Sequence, residues 1–178
     1  MSLNRQNKRV ISLAIVYGSL AVSCSCGHIS DRSLENNFRR HEATFEQLRD
    51  MLASDSEFTM IRRNLIRARG VTLRSPPTGI EDVGLSLKRY EEYLRLFDII
   101  GLDEGVARDG AVMSFVVESP SFFKGDVQKG YIFSPSAPSP LVPDLDSYVP
   151  QPTADASRPR FLVFKFLKSH WYLFKNSG

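Results

Sequence analysis

Apolar residues change their spacing partway along this chain, and that change restricts the possible folds more than any other feature. Leu34, Phe38, His41, Phe45, Leu48 and Leu52 are separated by 4, 3, 4, 3 and 4 positions. A period of about 3.6 puts all six on one face of a helix that runs to about Ala53. A second helical stripe follows in Leu87, Tyr90, Leu94, Phe97 and Ile100, with Ser86 as N-cap, Gly101 as the stop and Leu102 as the apolar residue after it. Beyond residue 105 the period drops to two. Met113, Phe115 and Val117 share one strand face, and Asp109-Gly110 marks a tight hairpin. Residues 130–133, 161–167 and 171–174 read as further strands, the last two joined by Lys168-Ser169-His170. Four hydrophobic residues in succession, Trp171 to Phe174, predict a strand covered on both faces, inside the sheet and paired with residues 161–167. Helices first and strands later predict an α+β fold: an antiparallel sheet of four to six strands with two helices packed on one face.

Two stretches resist this reading. Residues 58–74 follow no single period; one or two short strands at 64–68 and 71–74, broken at Gly70, are expected there. Residues 135–159 contain seven prolines in 25. Proline cannot donate to a ladder, so this is an irregular excursion that covers something or moves. The folded unit is expected to be one α+β domain over residues 34–178.

The N-terminus has a different character. Arg5, Lys8 and Arg9 precede residues 10–23, which are mostly apolar and carry no charge. As a helix this run would be about 21 Å long, short against a bilayer core of about 30 Å. It reads as a secretory signal. The signal ends in Leu20-Ala21-Val22-Ser23-Cys24. This segment resembles the lipobox of bacterial lipoproteins, although Ala21 stands where that family usually has Leu. The resemblance implies that residues 1–23 are a cleaved signal peptide, that Cys24 is lipidated, and that residues 24–33 form a tether. It also implies a cell-envelope location, with Ser25 favouring the outer membrane over the inner. Cleavage would remove three basic residues and no acid. The net charge of +3 belongs to the signal, and the remaining 155 residues balance 20 basic against 20 acidic groups. Global charge therefore offers no argument for a nucleic-acid partner.

Catalytic and metal motifs are missing from the sequence. It holds no HExxH, paired CxxC, Asp-rich calcium loop, GxSxG or phosphate loop, and no cofactor is expected. Of the three histidines, His28 falls in the tether, while His41 and His170 are candidate pocket residues. Each is more simply a hydrogen-bonded structural side chain. Glu42 with Glu46, and Glu91 with Arg95, are four apart and read as solvated helix faces. Arg62, Arg63, Arg67 and Arg69 lie in an acid-free stretch, whereas residues 81–104 hold seven acids against three bases. Mutual compensation between the arginines and the second helix is the plain reading. A patch for an anionic partner, such as a lipid headgroup or polysaccharide, is the sharper one. The aromatic and basic C-terminus is read as strand alternation, with Leu162, Phe164 and Phe166 pointing one way.

The functional expectation is a membrane-anchored envelope lipoprotein acting as a non-enzymatic interaction or accessory protein. Its partners would be the membrane, through the lipid, and an envelope protein or polysaccharide. A small protein binding an apolar ligand between helices and sheet is the alternative, and an unrecognised hydrolase is a third.

Overall fold

A computed structural model of the protein describes residues 29–76, 78–118, 127–150 and 160–177. The chain runs α1 (Asp31–Ser54), β1 (Phe58–Arg62), β2 (Leu65–Ala68), β3 (Val71–Arg74), α2 (Leu87–Ile100), β4 (Gly105–Asp109), β5 (Val112–Glu118), β6 (Val127–Phe133), β7 (Phe161–Lys168) and β8 (Trp171–Ser177). The fold is α+β. All eight strands form one sheet in the order β3-β2-β1-β4-β5-β6-β8-β7, every pair antiparallel.

Eight strands exceed the four to six expected. The excess lies in β1, β2 and β3, a meander drawn from the stretch that follows no single period. A register shift between Phe58 and Met60 breaks the alternation of β1, and β3 is exposed along most of its length. Neither strand therefore writes an apolar period of two into the sequence. The β2–β3 turn uses Arg69 and Gly70, both at positive φ, the pattern of a tight type I′ turn. The β4–β5 turn is displaced by one residue from the expected Asp109-Gly110. Asp109 pairs with Val112, so Gly110 and Ala111 make the turn, with Gly110 at φ +58°.

Two cross-strand rows define the sheet. On one face Leu73, Ile66, Ile61, Val106, Phe115, Tyr131, Leu173 and Lys165 stand side by side across all eight strands. Both helices close over that row and share its core, through Phe38, Phe45 and Leu48 of α1 and Leu96, Phe97 and Ile100 of α2. The centre is aromatic. Phe45 lies 4.5 Å from the Tyr131 ring and 5.7 Å from Trp171, and Phe115 lies 5.0 Å from Trp171. Such pairs add about 0.5–1.5 kcal/mol each beyond burial. Trp171, Tyr172, Leu173 and Phe174 are all buried, and β8 is interior to the sheet, as their uninterrupted apolar run requires.

The helix ends show which local signals operate. α2 has Ser86 as N-cap, its hydroxyl accepting from Arg89 N at 3.2 Å. It stops at Gly101 in the left-handed region, and Leu102 N returns to Phe97 O at 2.9 Å. Its buried face differs from the expected stripe: Tyr93 and Leu96 are buried, Leu87 is exposed and Leu94 half-buried. α1 is capped by Ser30, whose hydroxyl accepts from Ser33 N at 3.2 Å, and starts three residues before Leu34. Asp31 has another task, described below. At the far end of α1, Asp55 accepts from Tyr93 Oη and Arg89 Nε, both at 2.8 Å, and ties the two helices together.

Candidate functional site: the helix-free face of the sheet

The opposite face, which no helix covers among the described residues, carries a second row across the same eight strands: Thr72, Arg67, Met60, Ala107, Ser114, Ile132, Tyr172 and Phe166. Polar and basic residues occupy its β3 end and apolar ones its β7 end. One register step along lie Gly105, Val116, Gly130, Phe174 and Phe164. Val116, Phe164 and Phe174 form a small cluster separate from the main core, with Ile132 packed against it. Gly130 permits this packing. A Cβ there would sit 2.2 Å from Phe115 O and 3.0 Å from the Phe174 ring, so only glycine lets the ring cross β6.

Around this cluster apolar side chains face water. Phe166 is 57 % exposed, Leu162 47 % and Leu141 49 %. The expected alternation of Leu162, Phe164 and Phe166 is present, but only Phe164 is buried. β7 is a sheet edge, and Pro140-Leu141-Val142 covers it at one point. Phe164 N donates to Pro140 O at 3.0 Å, and Val142 N donates to Phe164 O at 2.7 Å. Residues that expose both an edge and large apolar side chains provide the physical basis for binding another chain.

The arginines named from sequence divide between tasks. Arg62 pairs with Glu104, and Arg63 donates to Asp98 at 2.7 Å and to Leu102 O at 3.2 Å. Arg69, in the β2–β3 turn, pairs with Glu57. Arg67 stands exposed in the outer row. Three of the four therefore meet a carboxylate, and two of those carboxylates, Asp98 and Glu104, belong to α2 and the loop after it.

His41 and His170 lie on different elements, α1 and the β7–β8 turn. His170 is exposed in the β7–β8 turn, its ring 6.0 Å from Phe133. His41 interrupts α1 with φ −121° and ψ 23°, and lines a cleft of about 550 Å³ between α1 and the end of α2. Ser33, Asn37, Arg40 and Asp98 share that cleft. No hydrogen bond links Ser33, His41 and Asp98 among the described residues; Asp98 is held by Arg63, and Asn37 donates to Ile100 O at 2.8 Å. Asn37 also reaches the Tyr131 hydroxyl at 3.1 Å. Burial pushes that hydroxyl up to about 12, partly offset by the amide. The cleft floor is thus braced by polar contacts and, among the described residues, holds no assembled nucleophile. Cys24, Cys26 and His28 lie outside the described residues.

A buried charge cluster escaped the sequence reading. Lys129 and Asp31 are 1 % and 3 % exposed, and Lys129 Nζ donates to Asp31 Oδ1 at 3.1 Å, to Ile29 O at 3.1 Å and to Asp146. Asp31 also accepts from Leu145 N at 2.8 Å, and Asp146 from Asp31 N at 2.8 Å. Lys165 adds a 2.7 Å pair to Glu35, and Lys175 donates to Leu145 O and Tyr148 O. Burial works against the Lys165 ammonium, yet Glu35 and Asp31 outweigh it and raise its pKa; at Lys175 burial prevails and lowers it. Asp31, Asp144 and Asp146 bring carboxylate oxygens within 4.8 Å of one another, a spacing suited to a cation. Lys129 and Lys165 already supply positive charge there, so the group works as a clamp fastening the Pro-rich segment to α1 and the sheet.

No family model, no curated protein and no solved structure matches the chain.

Proposed function

We propose that the protein is a cell-envelope lipoprotein, anchored through Cys24, whose helix-free sheet face holds another envelope protein. The observation that carries this reading is the exposed apolar set Leu141, Leu162 and Phe166 around the Val116–Phe164–Phe174 cluster, beside a sheet edge covered at only one point by the described chain. An isolated domain pays for water contact at such residues; a bound partner removes that penalty, at about 25 cal/mol per Å² of apolar surface. A non-enzymatic role fits the same site, which presents apolar area and, among the described residues, no convergent acid, base or nucleophile. The filled aromatic core between helices and sheet weighs against the apolar-ligand alternative.

The lipid is tested by mass spectrometry of protein extracted from membranes. Loss of residues 1–23 with a diacylglyceryl-modified Cys24 is expected; an unmodified N-terminus after Ser23 would refute the anchor. The partner surface is tested by photocrosslinking in whole cells. A photoreactive residue at Phe166 is expected to capture a discrete protein, while one at exposed Lys88 on α2 captures none. Equal labelling at both positions, or none at Phe166, removes the sheet face as the docking surface.

A further inference from the structure

α1 sorts its charges by direction. Its acids turn toward the β7–β8 hairpin: Glu35 pairs with Lys165 at 2.7 Å, Glu42 with Lys168 at 2.6 Å, and Glu46 accepts from the Trp171 indole at 2.8 Å. Its first arginines face outward, Arg32 and Arg39 bordering the groove shared with Glu35 and Lys165 and Arg40 the cleft beside α2. Arg32, Arg39 and Arg40 are exposed, with exposed Asn36 between them. Positions 32, 36, 39 and 40 are spaced 4, 3 and 1 apart and so share a helix face, about 12 Å long from Arg32 to Arg40. Arg32 and Arg40 form no ion pair among the described residues, and Arg39 makes only a 3.3 Å surface pair with Glu35, a weak interaction. The nearest acids are committed: Asp98 to Arg63, and Asp146 to Lys129. Asp144 adjoins the groove beside Arg32 and forms no ion pair among the described residues, its carboxylate being favoured by nearby Lys165.

This face begins where the tether ends. Cys24 to Ser30 are seven residues, which span at most about 25 Å. A lipid on Cys24 therefore holds the start of α1 within reach of the headgroups. Exposed Ile99, across the cleft from Arg40, adds an apolar contact on the same side. We infer that the Arg32–Asn36–Arg39–Arg40 face of α1 docks on the anionic phospholipid headgroups of the bilayer that holds Cys24. The inference rests on the anchor reading. Each arginine near such a surface favours the docked orientation by about fivefold, and guanidinium forks match phosphate oxygens. Docking through α1 turns the opposite, helix-free face away from the bilayer, toward a partner.

The test uses lipidated protein carrying Asn36→Trp, in phosphatidylcholine vesicles with and without phosphatidylglycerol. Trp171 is the only native tryptophan and is buried, so the parent protein supplies the background. Lipids brominated near the headgroup are expected to quench the added emission only when phosphatidylglycerol is present. Arg32→Glu with Arg40→Glu, the milder Arg32→Gln with Arg40→Gln, and raised salt should each restore it. Emission quenched by aqueous iodide and untouched by brominated lipid in both vesicles would overturn docking, even with lipid confirmed on Cys24. Brominated-lipid quenching at Phe166→Trp instead would overturn it by placing the other face on the bilayer. Protein without lipid on Cys24 would bring down the anchor reading and this one together.

Discussion

Lys129 and Phe45 show two ways in which single residues hold this molecule. Lys129 is a buried ammonium that is stable only because Asp31, Asp146 and a carbonyl surround it. Lys129→Met keeps the length and removes the charge, leaving Asp31 buried without its nearest cation. Removing one member of a buried pair costs about 3–5 kcal/mol, and urea unfolding is expected to register a loss of that size. Phe45 is fully buried against Phe38, Phe115, Tyr131 and Trp171. Phe45→Ala empties the centre of that group and should cost about 3–5 kcal/mol in the same experiment. A loss below about 1 kcal/mol would contradict the packing. Phe45 was legible from sequence because its position in the helical stripe alone predicts burial. Lys129 was not, because nothing local distinguishes an inward lysine from an outward one: its partners Asp31 and Asp146 lie 98 and 17 positions away.

Among the elements, the Pro-rich segment behaves as a strap. It makes no strand of its own among the described residues, yet residues 140–145 meet the fold at Phe164 and at Asp31. Burial pushes the Asp146 carboxyl up, but Lys129 and the Asp31 amide outweigh it and hold the pKa below the ordinary carboxylate value. A carboxylate depressed by folding adds stability above its unfolded pKa and loses it as pH falls through the folded one. Acidification below the usual carboxylate range is therefore expected to loosen the strap before the core. Hydrogen exchange should show the Leu145 amide losing protection ahead of amides in β8, with Asp146→Asn producing the same loss at neutral pH. Equal protection in both segments at every pH would refute the clamp. The prolines of residues 135–150 announce the irregular course of that part, and residues 151–159 lie outside the described residues. The attachment of the strap was not legible from sequence, because the anchoring groups come from α1, β6 and β7.

For the whole molecule, β8 decides cooperativity. It pairs with β6 over Val127–Phe133 and with β7 over Phe161–Lys168, and it brings Trp171 into the centre of the core. Removing residues 170–178 strips two ladders and the indole together. Circular dichroism of that truncation is expected to show global unfolding, whereas removal of 177–178 alone should leave a native spectrum. A folded 1–169 chain would show that the sheet closes without its interior strand.

Elements whose information is local can be read from the order of residues alone. Both helices, the Ser86 and Gly101 caps and the buried C-terminal strand follow from periodicity and capping chemistry, which need only neighbours along the chain. Only folding fixed the eight-strand count, the strand order, the inward lysines, and the helix-free face with Phe166 left in water. These depend on pairings between residues far apart in sequence. A bulge, an exposed strand or a buried ion pair acquires its character only from the surface that folding brings against it.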